Sequence, residues 1–136
     1  MSVATTCDTS VLVPALLAWH PDHAACRRAV TGSVDTVPAH VLLECYSVLT
    51  RLPAPHRLAA ADAAQAVGAL PWKPLTLPAG RHRDIVMTLA RDGIRGGAVY
   101  DALVAATALH HDRLLLTRDR RARSTYDVIG VRHTLV

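Results

Sequence analysis

The feature that most constrains this chain is a repeated change of hydrophobic period. Very short, mostly apolar stretches (Val3–Cys7, Asp35–Val37, Lys73–Leu77, Leu114–Leu116 and Val131–Leu135) alternate with longer segments whose apolar residues recur at helical spacing. The short stretches are read as buried strands. Val11–Ala18, Pro21–Val30, Pro38–Leu52, Pro55–Leu70, Pro78–Arg91 and Val99–His110 are read as helices. Ser10 is the expected cap of the first helix, and Pro14 falls in its first turn, where proline is tolerated. Thr31-Gly32, Pro53, Pro71 and Asp92-Gly93 supply stops. Thr117–Ser124 is read as a polar turn with at most one turn of helix. Strands alternating with helices predict an α/β sandwich with a mainly parallel sheet. A chain of 136 residues without repeat or linker predicts a single domain, 1–136.

Composition excludes several classes. A chain that is 51% hydrophobic is not disordered. No uncharged apolar run reaches the roughly 18 residues of a membrane span. No Lys or Arg precedes Arg27, and Asp8 stands before the apolar stretch Val11–Trp19, which makes a poor secretory signal. Cys7, Cys26 and Cys45 are odd in number and form no CxxC, so they are expected as core thiols of a cytoplasmic protein. His20, His23 and Cys26 have a spacing that suggests zinc. On a helix they spread over a wide arc, and no fourth ligand stands nearby, so a polar helix start is expected instead. His110 and His111 close an apolar helix, where they favour its C-terminal dipole.

The acids are unevenly distributed. Asp8 ends the first strand, and Asp119 lies just past Leu114–Leu116. Asp101 is in the first turn of Val99–His110, and Glu44, the only glutamate, lies inside an apolar helix. Open α/β sheets place their sites beyond the carboxyl ends of the strands, so neighbouring first and fourth strands would bring Asp8 and Asp119 together. Plainer roles exist. Asp8 can cap a helix, although Ser10 is the better cap. Asp101 can favour its helix dipole by about 0.3–1 kcal/mol. Asp119 can cap a turn. Glu44, flanked by Leu42, Leu43 and Cys45, must reach solvent, a base or a metal, and Arg51 two turns away is a poor partner. Asp22, Asp35, Asp62, Asp84, Asp92, Asp112 and Asp127 fit loops, caps or polar faces. Four converging carboxylates repel one another, and a hard cation such as Mg²⁺ or Mn²⁺ resolves the conflict. The matching chemistry is phosphodiester hydrolysis with metal-activated water.

Four motifs carry a family resemblance. Asp8–Val13 resembles the opening of the PIN-domain nucleases, and Val41–Leu52, around Glu44, is similar to their second acidic motif. Gly96–Ala108, around Asp101, resembles the third, and Leu116–Ala122, around Asp119, the fourth. They stand in family order across essentially the whole chain. Within the family, the chain resembles the VapC toxins of VapBC-type toxin–antitoxin pairs. The resemblance implies a three-layer α/β/α sandwich around a five-stranded sheet of order 3-2-1-4-5. It also implies a Mg²⁺-dependent endoribonuclease that cuts structured RNA (tRNA, rRNA or mRNA) and blocks translation. A homodimer silenced by a small VapB-like antitoxin follows from it too. Carried over, Asp8, Glu44, Asp101 and Asp119 are the acidic site. Asp8 and Asp101 are direct metal ligands, Asp119 binds directly or through water, and Glu44 holds a water or moves a proton. Thr9 or Ser10 orients Asp8, and Thr117 supports the site. Many PIN domains have Asn where this chain has Ser10, which removes an amide contact.

A substrate with a charge on every nucleotide needs basic surroundings. Arg118, Arg120, Arg121 and Arg123 cluster beside Asp119, as a phosphate clamp or as a solvated turn, and Arg95 precedes the Gly pair. Trp19 is read as helix-end packing or as a base-stacking group, and Tyr100 and Trp72 as core or interface. A basic antitoxin tail would fit the acidic pocket, with helices Pro55–Leu70 and Val11–Ala18 as candidate groove walls. Two rival readings remain. An aspartyl-nucleophile phosphatase lacks its Asp-x-Asp pair, because position 10 is Ser, and Lys73 is poorly placed. A non-catalytic PIN-fold binding module sits badly with four retained acids.

Overall fold

The structure is a computed structural model that describes residues 3–136. Twelve main elements follow in chain order: β1 (Thr5–Cys7), α1 (Thr9–Leu16), α2 (His23–Ser33), β2 (Thr36–Pro38), α3 (Ala39–Thr50), α4 (Ala60–Gly68), β3 (Lys73–Leu75), α5 (His82–Arg91), α6 (Ala98–His110), β4 (Leu114–Thr117), α7 (Arg123–Ile129) and β5 (His133–Leu135). A 3₁₀ turn, Ala79–Arg81, precedes α5. All strand pairs are parallel, as the βα alternation requires.

The sheet is split. β1-β4-β5 form one ladder and β2-β3 another. Between β1 and β2 stand an isolated Thr5–Val34 bridge and two reciprocal side-chain bonds. Thr6 Oγ1 donates to the Thr36 carbonyl at 3.0 Å, and Thr36 Oγ1 donates to the Thr5 carbonyl at 3.2 Å. The spatial order is therefore 3-2-1-4-5, with threonine hydroxyls replacing part of the central ladder. β4 holds the middle of its sheet, where its leucines are mostly buried. β3 carries Pro74, which an edge strand tolerates because it needs no donor on its outer side.

Helices α1, α2 and α3 pack together, as do α5, α6 and α7, and α3 meets α6. The core joins Val11 and Leu12 of α1, Cys26 and Val30 of α2, and Val41, Cys45 and Leu49 of α3 to Ala105, Leu115 and Tyr126. All three cysteines are free and buried, as expected of core thiols.

Three boundaries differ from the sequence reading. α1 begins at Thr9 with Asp8 as its cap, so Pro14 falls in the second turn rather than the first. The segment Pro55–Leu70 is helical only from Ala60, because the Leu58 N–H is bonded to the Leu49 carbonyl, folding the loop back onto the end of α3. The supposed turn after β4 leads into a real helix, α7. It buries only Thr125 and Tyr126, with Ile129 partly buried, a stripe too short to stand out among the Arg, Ser and Asp around it.

Candidate active site

The chain leaves β1 at Cys7, and the next residue, Asp8, caps α1 from the carboxyl edge of the sheet. Asp8 is only 5% exposed, yet its carboxylate is well bonded. Oδ1 accepts the Ser10 N–H at 3.0 Å and the Ser10 hydroxyl at 2.5 Å, and Oδ2 accepts the Tyr126 hydroxyl at 2.7 Å. Ser10 is thus a second partner of the capping carboxylate, not the cap. An aspartate's planar carboxylate reaches the N-terminal amides and keeps further lone pairs free.

The same serine ties two strand ends together. Its Oγ accepts the Arg118 N–H at 2.7 Å and lies 3.3 Å from Thr117 Oγ1, which in turn accepts the Asp119 N–H at 3.0 Å. Because β1 and β4 are parallel neighbours, these bonds put Asp8 and Asp119 at one edge. Asp101 comes from the first turn of α6 and Glu44 from the middle of α3. All four acids line one small cavity of about 40 Å³, together with Thr9, Ser10, Val104 and Tyr126. Larger clefts exist, including one of about 490 Å³ between α5, α6 and α7, but its lining contains no carboxylate. Chemistry, not volume, singles out the small one.

The electrostatics follow from this crowding. Burial raises the Asp8 carboxyl above the ordinary range, against the pull of its bonds from Ser10, Thr117 and Tyr126. Asp101 is pushed up to about 6, first by burial and then by the charges of Asp119, Glu44 and Asp8, with Arg121 opposing. Burial, then the Asp8 charge, raises the Tyr126 phenol, so it remains a donor.

The cavity suits a small hydrated cation. Among the described residues no three His, Cys, Asp or Glu side chains close into a ready-made metal cage. An open set of carboxylates is what Mg²⁺ uses, since it keeps several waters and takes few protein ligands. A volume of about 40 Å³ has room for a small polar guest. Thr9, another lining residue, has its Oγ1 buried without a hydrogen-bond partner among the described residues.

Residues 6–128 match the PIN domain family. The chain belongs to the PIN-domain family. It is 45% identical over 129 residues to Ribonuclease VapC27 of Mycobacterium tuberculosis (strain ATCC 25618 / H37Rv), covering 95% of this chain and 93% of that protein. Ribonuclease VapC40 of the same strain is also 45% identical, over 130 residues, at 95% and 96% coverage. The fold is similar to that of PAE2754 from Pyrobaculum aerophilum (TM-score 0.64, 18% identity, 98% of this chain and 92% of that one). It is likewise similar to FitAcB from Neisseria gonorrhoeae (TM-score 0.65, 18% identity, 95% of each chain).

In this PIN domain of the VapC type, the tertiary structure adds two groups around the acids. Tyr126 holds Asp8 from 118 positions away, a contact no local pattern signals. His40, one turn before Glu44, brings Nε2 to 3.4 Å from its carboxylate, and the i, i+4 spacing was the available sign. Arg118 faces elsewhere. Its guanidinium pairs with Asp22 at 2.8 Å and donates to the Val136 carbonyl at 2.7 Å. Arg120 and Arg123 are exposed, and Arg121, 96% exposed at its side chain, lies 3.7 Å from Asp119. Arg95 is exposed as well. Trp19 stacks on His56 with ring centroids 3.8 Å apart, and Trp72 is half-buried against the core. Tyr100 is not a core residue, being 53% exposed. His20 accepts the Asp22 N–H, His23 donates to the Pro14 carbonyl, and Cys26 is buried, so these three serve the local fold.

Proposed function

We propose that this chain is a metal-dependent endoribonuclease toxin that cuts structured RNA, stops translation in the cytoplasm, and is neutralised by a cognate antitoxin. The observation that carries this reading is the convergence of Asp8, Glu44, Asp101 and Asp119 on one cavity, where burial and then the neighbouring charges raise Asp101 to about 6. The ribonuclease names of the two curated relatives support it. Asp8, Asp101 and Asp119 would hold Mg²⁺, or Mn²⁺ in its place. When bound, the ion supplies charge neutralisation at the phosphate and activation of water for attack on phosphorus.

The chain's own residues do the rest. Ser10 and Tyr126 fix the Asp8 carboxylate from both oxygens, so it meets an incoming cation without reorganising. Glu44, about a third exposed at its side chain, would hold a ligand water or accept a proton from the attacking one. Arg121, 3.7 Å from Asp119, and its exposed neighbours Arg120 and Arg123 would offer guanidinium groups suited to phosphate. Antitoxin inhibition is read as a basic side chain entering the acidic cavity. A homodimer is proposed as well. No helix among the described residues is long and apolar enough to cross a membrane.

The test is cleavage of total cellular RNA by the purified chain, with the new ends sequenced. Cleavage should require Mg²⁺ or Mn²⁺ and disappear in Asp8→Asn and Asp101→Asn. Asparagine still caps α1, so the Asp8 variant should remain folded by circular dichroism. Cleavage that survives EDTA, or full activity in Asp8→Asn, overturns the reading.

A further inference from the structure

The acid cavity does not end at Glu44. That residue also lines a wider neighbouring groove of about 430 Å³, whose other walls are His40, Leu43, Ser47, Arg51 and Tyr100. His40, Glu44, Ser47 and Arg51 are spaced four, three and four residues apart, which puts them in one stripe along α3. Over that span a helix rises about 16 Å. The His40 and Tyr100 rings lie parallel within 6°, with centroids 5.3 Å apart. Tyr100 is also the residue immediately before Asp101.

Neither ring belongs to the hydrophobic core, and Tyr100 is 53% exposed. Tyr100 is half in water beside the acids, and His40, with 25% of its side chain exposed, backs it. The pair offers a flat π surface, and Arg51, exposed where α3 ends, offers a cation at the far end of the same groove. Together they match the chemistry of one unpaired nucleotide, a ring to stack and a phosphate to pair with a guanidinium.

We propose that this groove is a nucleotide subsite, in which an unpaired base flanking the scissile phosphate stacks on the His40–Tyr100 pair and an adjoining phosphate meets Arg51. The proposal rests on the nuclease reading above and specifies how that site chooses its substrate. Stacking accepts any base, so the subsite selects an unpaired nucleotide rather than a sequence. Cleavage therefore falls in loops of structured RNA, beside a base that can leave its stack.

The test separates binding from cleavage. The full chain, purified without partner, is titrated with a short labelled single-stranded RNA in Ca²⁺, and the dissociation constant is measured. Tyr100→Ala and His40→Ala should each weaken binding by about 5- to 10-fold, while Tyr100→Phe stays near wild type. An RNA with one abasic position next to the cleavage point should lose the same factor against wild type, and no more against Tyr100→Ala. Undiminished binding by both alanine variants overturns the subsite. So does a Tyr100→Ala variant that loses only self-association on gel filtration, which would assign the groove to a second copy of the chain. A wild-type chain that binds RNA in this way yet cleaves none with Mg²⁺ or Mn²⁺ would overturn the nuclease reading while leaving the subsite standing.

Discussion

At the scale of single residues, Asp101 shows how the site is balanced. Its carboxyl titrates at about 6 in the fold, above the ordinary aspartate value of 3.8, because burial and three neighbouring acids disfavour its charge. The folded chain thus binds this proton more tightly than the unfolded one. The sign follows directly: stability falls as pH rises from about 4 through about 6, and near neutrality the full penalty applies. Half-burial and solvent screening reduce it to about 1–2 kcal/mol. Asp101→Asn should therefore raise the melting temperature of the metal-free chain at neutral pH, with the gain vanishing near pH 4. Saturating Mg²⁺ should remove the variant's advantage, since the wild type alone gains from the cation. Thermal unfolding in EDTA and in Mg²⁺ at the two pH values checks all three outcomes. Glu44 was legible by composition, as the single carboxylate of its type inside an apolar helix. The mutual repulsion of the four acids was legible too, but the burial that chiefly raises Asp101 was not, because it depends on how the other elements pack around it.

At the scale of elements, α7 matters most. It is a short helix with two buried side chains, Thr125 and Tyr126, and it ends at Gly130, whose φ of 88° is left-handed and suits glycine. Its contribution to the site is the Tyr126 hydroxyl on Asp8 Oδ2. Tyr126→Phe keeps the ring in the core but leaves that buried oxygen without its donor. Hydrogen bonds to charged groups contribute about 1.5–3 kcal/mol, so cleavage should fall by about 10-fold or more with the fold intact. Metal affinity measured by calorimetry should weaken in parallel, an effect that a purely structural tyrosine would not produce. Helices α1, α2, α3, α5 and α6 are legible in the sequence because their apolar residues repeat within a turn or two. α7 is not, because its few inward positions carry too little periodic signal. α4 is shorter than its Ala-rich composition suggests, because Leu58 is held by the end of α3.

At the scale of the whole molecule, one arginine joins parts that are far apart in sequence. Arg118, just beyond β4, pairs with Asp22 ahead of α2 and donates to the carbonyl of Val136, the last residue. Its side chain is 26% exposed, so these bonds are partly shielded from water. Arg118→Ala should lower stability by about 1–3 kcal/mol and leave RNA affinity nearly unchanged. A phosphate-clamp role predicts the reverse, and denaturant unfolding with RNA titration distinguishes them. The sequence by itself determined the α/β class, the parallel strands, the four acids and the positive balance around them. Each of these rests on local period, residue type or motif order, and none needs a distant contact. Only the tertiary structure decided that Asp8 rather than Ser10 caps α1, that Tyr126 holds Asp8, that threonine hydroxyls bridge a divided sheet, and that Arg118 fastens the chain end. In each case the bond joins groups whose meeting the local sequence does not dictate. The outcome depends on which of them the packed strands bring within about 3 Å.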